Sequence, residues 1–177
     1  MMVAELNALP AAEAHELFLR CCASHAWARA MTERRPFVDR ASLGREADTI
    51  WRGLGRDDWL EAFAAHPRIG GPPVAGRAGT AGQTGRPADP EPDRLAAREQ
   101  AGMDTASETI RRRMDHGNRE YEARFGFIYL VCATGRAAED LVAILEERLT
   151  HSRDEELRIA AEEQRQITRL RLERWLS

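Results

Sequence analysis

Apolar residues recur along this chain at steps of three and four, with charged residues filling the faces between them. Residues 11–31 carry Leu17, Phe18, Cys21, Cys22 and Trp27 at helical spacing, and Asp39 to Trp51 fits a second helix. Asp57 and Asp58 open a short third helix, where acidic side chains suit the positive end of the helix dipole. Another is predicted to begin near Asp93. Met103, Ala106, Ile110, Met114, Gly117 and Tyr121 then form a stripe at the same steps. Leu141, Ile144, Leu145 and Leu149 mark a further helix, and residues 154–176 the last. One segment departs from this pattern. Phe125–Ala133 (FGFIYLVCA) is a continuous apolar run, short for a helix and equally suited to a buried extended piece. With no other strand candidate, the expected class is all-α: a bundle of about seven to eight helices forming one domain over residues 1–177.

Glycine and proline interrupt the pattern in one place. Six of the 13 glycines fall in Gly70–Gly85 and six of the eight prolines in Pro67–Pro92. The stretch has no period and almost no large apolar residue, so it cannot bury enough surface to offset its ordering entropy. It is expected to be a flexible loop, at about residues 70–92, between two helical portions.

Composition acts mainly by exclusion. All 26 basic residues are arginine, set against 29 acidic residues for a net charge of −3. Without lysine the protein can form no Schiff base, anchor no pyridoxal phosphate and build no lysine-ended phosphate loop. Arginine suits planar, bidentate recognition of carboxylates. The near-neutral balance argues against a nucleic-acid partner, although Arg111-Arg112-Arg113 is a local basic cluster. Cys21, Cys22 and Cys132 are odd in number and lack CxxC spacing, as expected of reduced thiols in a cytoplasmic protein. No apolar run reaches membrane-spanning length, and no basic stretch precedes an apolar one near Met1, so neither membrane nor secretory pathway is expected.

Ionisable groups on apolar faces are the candidates for chemistry. At about 100° per residue, Trp59, Phe63 and His66 lie within roughly 60° of one another, so His66 is predicted to end the third helix on its buried side, with Pro67 stopping it. Glu99 shares a face with Leu95, Gly102, Met103 and Ala106. A carboxylate placed there is poorly hydrated, which disfavours its charged form and fits it for proton transfer near neutrality. On the last helix, Arg171 falls among Leu157, Ala160, Ala161, Ile167, Thr168 and Trp175, whereas Arg158, Arg165 and Arg169 lie outside that stripe. A buried guanidinium is costly unless paired, so Arg171 needs an internal acid or an anionic ligand. Singly, each has a structural explanation: a satisfied core histidine, a snorkelling glutamate, a structural ion pair. As a set, two flanking the loop, they can form an acid/base pair and an anion holder. A metal site is not expected, because no HxxxH, HxxE or cysteine pair accompanies His66. The three cysteines sit in apolar surroundings that raise a thiol's pKa, which makes a cysteine nucleophile a weak candidate. His15, His25, His116 and His151 fit helix-surface or packing positions.

Several stretches carry a family resemblance. They are Leu6-Asn7, Cys21-Cys22 followed by Trp27, Arg35-Pro36-Phe37, Ala65-His66-Pro67-Arg68-Ile69-Gly70, Arg98-Glu99-Gln100-Ala101-Gly102, Arg124-Phe125-Gly126-Phe127, Glu146-Glu147-Arg148-Leu149 and Leu170-Arg171-Leu172. In this order, over nearly the whole chain, they resemble the 2-oxo-4-hydroxy-4-carboxy-5-ureidoimidazoline (OHCU) decarboxylase family, which ends the uricase route from urate to (S)-allantoin. The resemblance implies an all-helical, cofactor-free decarboxylase, usually a homodimer, acting on the small molecule OHCU. It implies that His66 is the catalytic histidine, Glu99 its acid/base companion and Arg171 the substrate-holding arginine. Pro67, Gln100 and the backbone of Tyr129, Leu130, Val131, Cys132 and Ala133 match the site lining. Ala96, also matched to the lining, stands where the family often has serine, so one hydrogen bond to substrate is expected to be missing or supplied by water. The Gly/Pro-rich loop is longer than expected for the family.

The implied chemistry agrees with the residue reading. A protein without lysine or a metal pattern offers no electron sink, and OHCU delocalises the charge left by CO₂ through the carbonyl beside its reacting carbon. The competing readings are a non-catalytic binder of a purine-degradation intermediate, favoured only by Ala96, and a helical interaction module, which leaves Arg171 unexplained. The C-terminal Arg-Trp-Leu-Ser is not the peroxisomal tripeptide, so a cytoplasmic location is expected.

Overall fold

The computed structural model describes residues 1–71 and 99–176. Among these residues the regular structure is helical, with no strand: eight α-helices and one 3₁₀ turn. They are α1 (Val3–Ala8), α2 (Ala11–Cys21), α3 (His25–Glu33), α4 (Arg40–Gly53), α5 (Arg56–Ala64), the 3₁₀ turn Ala101–Met103, α6 (Glu108–Phe125), α7 (Ala138–Arg148) and α8 (Arg153–Trp175). The all-α expectation holds. The flexible loop expected at about 70–92 lies, beyond Gly71, outside the described residues, as does the helix start near Asp93. The chain divides into two units, Met1–Ala65 with Asp154–Ser177, and His66–Arg153.

In the first unit the predicted stripes become buried faces. Phe18, Trp27, Met31 and Leu43 are almost wholly removed from water, and burying an apolar side chain of this size contributes about 1.5–3 kcal/mol. The pattern over 11–31 breaks into two helices, because Ser24 takes an extended backbone and its side chain caps α3 by accepting the Trp27 N–H at 3.3 Å. Asp39 starts α4 by accepting the Ser42 N–H at 2.6 Å. Three tryptophans tie helices through their ring N–H groups. Trp27 donates to the Ala47 carbonyl at 3.1 Å, Trp51 to Ala161 at 2.7 Å and Trp59 to Trp51 at 3.1 Å. Two stretches from the resemblance bind each other: Asn7 and Phe37 exchange hydrogen bonds at 2.8 and 2.9 Å, and Arg35 donates to the Leu6 and Leu9 carbonyls.

In the second unit α6 and α7 pack so closely that a Cβ on Gly117 would lie 2.6 Å from a Leu145 methyl. The stripe from Met103 to Tyr121 is not one helix. Asp104–Ser107 breaks it, and the Ser107 side chain caps α6 by accepting the Ile110 N–H. Gly126 ends α6 at φ +80°, a left-handed position that glycine adopts without Cβ strain. From there Phe127–Ala133 runs as irregular, largely buried chain, so the apolar run is neither helix nor strand beyond Phe125, which still belongs to α6.

Candidate functional site

The predicted position of His66 shifts first. α5 ends at Ala64, and His66 lies beyond the helix, half-buried, as the first residue of the second unit. Pro67 explains the early stop: its ring disfavours helical backbone at the residue before it. Residues 66–71 form a strap tied along α6. Arg68 grips Glu122 with two guanidinium nitrogens, each 2.6 Å from a carboxylate oxygen. Asn118 donates to the Ile69 carbonyl at 2.9 Å. The Gly70 N–H donates to Gln100 Oε1 at 3.2 Å. Gly70 sits at φ +68°, and a side chain there would press on Met103 at 3.0 Å and Met114 at 3.3 Å, so the strap requires glycine.

Gln100 therefore joins the segments on either side of residues 72–98. Its neighbour Glu99 is buried, as the sequence predicts. The helix predicted to run through both holds at Glu99 and gives way at Gln100 to the 3₁₀ turn Ala101–Met103. That turn passes so close to the next segment that a Cβ on Gly102 would collide with the Arg136 carbonyl oxygen. The segment is closed by the Arg136 N–H on the Ala133 carbonyl at 3.0 Å and by Arg136 Nε on the Cys132 carbonyl at 3.1 Å. Three segments of one unit are thus linked: Gly70 at the end of the strap meets Gln100, and the turn after Gln100 meets Arg136, which is tied back to Cys132 and Ala133. Among the described residues, the N–H groups of Leu130, Val131 and Ala133 donate to no backbone carbonyl. Ala96 lies outside the described residues.

Arg171 belongs to the first unit. It is buried on α8 and donates to the Cys21 carbonyl at 3.2 Å. Beside it, burial pushes the Cys22 thiol up to about 12, against the opposing pull of Thr168, Ser24 and Arg171. Cys22 is thereby held as a neutral thiol, in line with the sequence reading of the cysteines. Arg165 and Arg169, outside the apolar stripe as predicted, both reach Asp48 of α4, at 2.8 and 3.2 Å. α4 and α8 border a small open groove that includes Leu43, Gly44, Trp51 and Leu172 but none of the predicted site residues.

One residue escaped the sequence reading. Arg171 is not the single buried arginine: Arg148, the last residue of α7, is only 4% exposed. It donates to the Leu130 carbonyl at 2.8 Å and to the Tyr121 hydroxyl at 3.1 Å. Its guanidinium lies 5.7 Å from the Tyr121 ring centre and 5.1 Å from that of Tyr129, contacts worth about 1–2 kcal/mol each in a dry setting. The signal was present, because Leu141, Leu145 and Arg148 follow the same steps of four and three that identify Arg171.

A family model described as OHCU decarboxylase matches residues 7–173. The chain belongs to this family. It is 30% identical over 157 residues to the uric acid degradation bifunctional protein TTL of Arabidopsis thaliana, a match covering 89% of this chain and 45% of that protein. It is 35% identical over 74 residues to the 2-oxo-4-hydroxy-4-carboxy-5-ureidoimidazoline decarboxylase of Amia calva, covering 42% of each. Each match thus spans less than half the length of the relative. Among solved structures, an OHCU decarboxylase crystallised in the presence of (S)-allantoin shares 30% identity and a TM-score of 0.72, covering 91% of this chain and 97% of that one. An (S)-allantoin synthase, 17% identical with a TM-score of 0.72, covers all of this chain and 54% of its own, and shows the common fold. The match of the OHCU decarboxylase family model runs through both units. Among the described residues, no helix is long and apolar enough to cross a membrane.

Proposed function

We propose that this chain is a carboxy-lyase that converts OHCU to (S)-allantoin without a cofactor, as a single functional domain over residues 1–177. The observation that supports the reading is the Gly70–Gln100 bond and the Gly102–Arg136 approach, which link the segments following His66-Pro67, Glu99 and Tyr129–Ala133, in a chain of the OHCU decarboxylase family.

In the reaction the bond to the carboxylate breaks, CO₂ leaves, and the substrate's own ring takes up the electron pair. A proton delivered to one face sets the configuration. The protein's part is then orientation, electrostatic stabilisation and control of that proton. Arg171 orients the anionic substrate, for which a guanidinium is suited. Backbone N–H groups of Tyr129–Ala133 hold the polar ring edge, with Pro67, Gln100 and Ala96 completing the lining. His66, coupled to Glu99, engages the substrate hydroxyl and manages the proton. The three free cysteines, all buried, favour a reducing cytoplasm, and the family resemblance favours a homodimer, which sedimentation would test.

The deciding experiment supplies freshly generated OHCU and follows circular dichroism. Accelerated, one-handed allantoin formation that disappears in His66→Ala and Glu99→Ala supports the assignment. Racemic product at the uncatalysed rate with the wild-type chain overturns it.

A further inference from the structure

Arg148 has no part in the reaction as proposed, yet it occupies an expensive position. A buried ion can often be replaced by well-packed apolar residues at no loss of stability. Arg148 packs its guanidinium against the Tyr121 and Tyr129 rings at the end of α7. A guanidinium, unlike an apolar side chain, can hold a carbonyl. Its Nη1 donates to the Leu130 oxygen at 2.8 Å, while Nη2 is fixed on the Tyr121 hydroxyl. The Tyr121 and Tyr129 rings, in edge contact with centres 5.5 Å apart, both pack against the guanidinium. Tyr129 is anchored in turn by its own hydroxyl on the Leu141 carbonyl at 3.1 Å.

The Leu130 carbonyl and the Val131 N–H belong to one planar peptide, and that peptide is trans. In a trans peptide the two bonds point in opposite directions. Fixing the carbonyl on Arg148 therefore turns the Val131 N–H away from α7. A charge-assisted bond at the oxygen also polarises the amide and makes its N–H a stronger donor. Val131 is buried, and among the described residues its N–H donates to no backbone carbonyl. We propose that Arg148 is a positioning residue that, through the Leu130–Val131 peptide, aims and strengthens the Val131 N–H as a hydrogen-bond donor to the ring of the substrate. This rests on the proposed function, in which the Tyr129–Ala133 backbone lines the site.

The test uses the full chain with Arg148→Met, Arg148→Lys and Tyr121→Phe. Each variant is followed by steady-state OHCU decarboxylation across pH, by thermal melting, and by the amide resonance of Val131 during titration with (S)-allantoin. In folded Arg148→Lys, KM rises about tenfold through misalignment of one donor. The pH profile keeps its shape, because no titrating group of the proposed site is changed. The Val131 resonance moves in the free protein and loses most of its response to allantoin. Tyr121→Phe, which frees one arm of the fork, gives the same changes in smaller measure. Should Arg148→Met fail to fold, the Lys and Phe variants decide. A folded Arg148→Lys with wild-type KM, kcat and allantoin response overturns the proposal, as does a wild-type Val131 resonance that ignores allantoin. Wild-type chain that leaves OHCU decay unaccelerated overturns the proposed function instead, and the Val131 response still reads the role of Arg148.

Discussion

The two units solve the same problem, ordering a chain around a core, by different means. In the first, five helices and α8 bury apolar stripes, and the tryptophan N–H groups add ties between helix backbones. In the second, the segments that carry the candidate site are irregular, and side chains hold their backbone: Asn118 on Ile69, Gln100 on Gly70, Arg148 on Leu130, Arg153 on Phe125. Irregular chain leaves backbone groups that helices would have paired, and buried ones must find partners elsewhere. The cost of those partners is repaid in placement, since loop backbone can present N–H groups that a helix consumes.

Four measurements would break or sharpen this contrast. The largest effect belongs to the strapped unit: His66→Ala lowers kcat for OHCU about 10³-fold. Because His66 is half-buried and outside any helix, the melting temperature of that variant stays close to wild type. An equally large loss from a groove residue of the first unit would reverse the assignment.

The next test sets two glycines against each other. Gly102→Ala drives a Cβ into the Arg136 carbonyl oxygen, costing about 3 kcal/mol and lowering the melting temperature by about 10 °C. Gly44→Ala, inside α4 with its nearest neighbour 4.0 Å away, instead gains about 0.5–1 kcal/mol from helix propensity. Equal effects at the two positions would remove the distinction between strapped and helix-packed backbone.

Asp48→Asn leaves Arg165 and Arg169 without their shared carboxylate. It destabilises the first unit by about 1–2 kcal/mol in chemical denaturation and leaves decarboxylation unchanged. The smallest effect is at Asp39, whose carboxyl is held below its ordinary range by the Ser42 N–H and hydroxyl. Unfolded chain therefore binds this proton at higher pH than folded chain does. The stability it contributes is complete above the ordinary carboxylate range and is lost as pH falls through the lower folded value. Asp39→Asn flattens that acid-side decline in melting temperature; an unchanged slope would remove the cap from the account.

Helix faces were legible because period 3.6 needs only local sequence: Phe18, Trp27, Leu145 and Ile167 all point inward as the spacing predicts. The same arithmetic placed Glu99 and Arg171 on buried faces. It failed where a side chain or a proline competes with the helix locally. Ser24 splits residues 11–31, Ser107 splits the stripe before α6, and Pro67 ends α5 before His66. It also passed over Arg148, although the spacing on α7 was there to see.

Hydrophobic periodicity and the ordered run of short motifs by themselves determined the all-α class, the principal helices and the family. Both depend on residues close in sequence, or on pattern alone. Only the tertiary structure decided that Gly70 meets Gln100, that Gly102 lies under Arg136, and that Arg148 holds Leu130. Those pairings join residues 18 to 34 positions apart, a separation at which no local periodicity constrains the register. Their partners are backbone carbonyls and N–H groups that every residue carries, so side-chain identity cannot announce them.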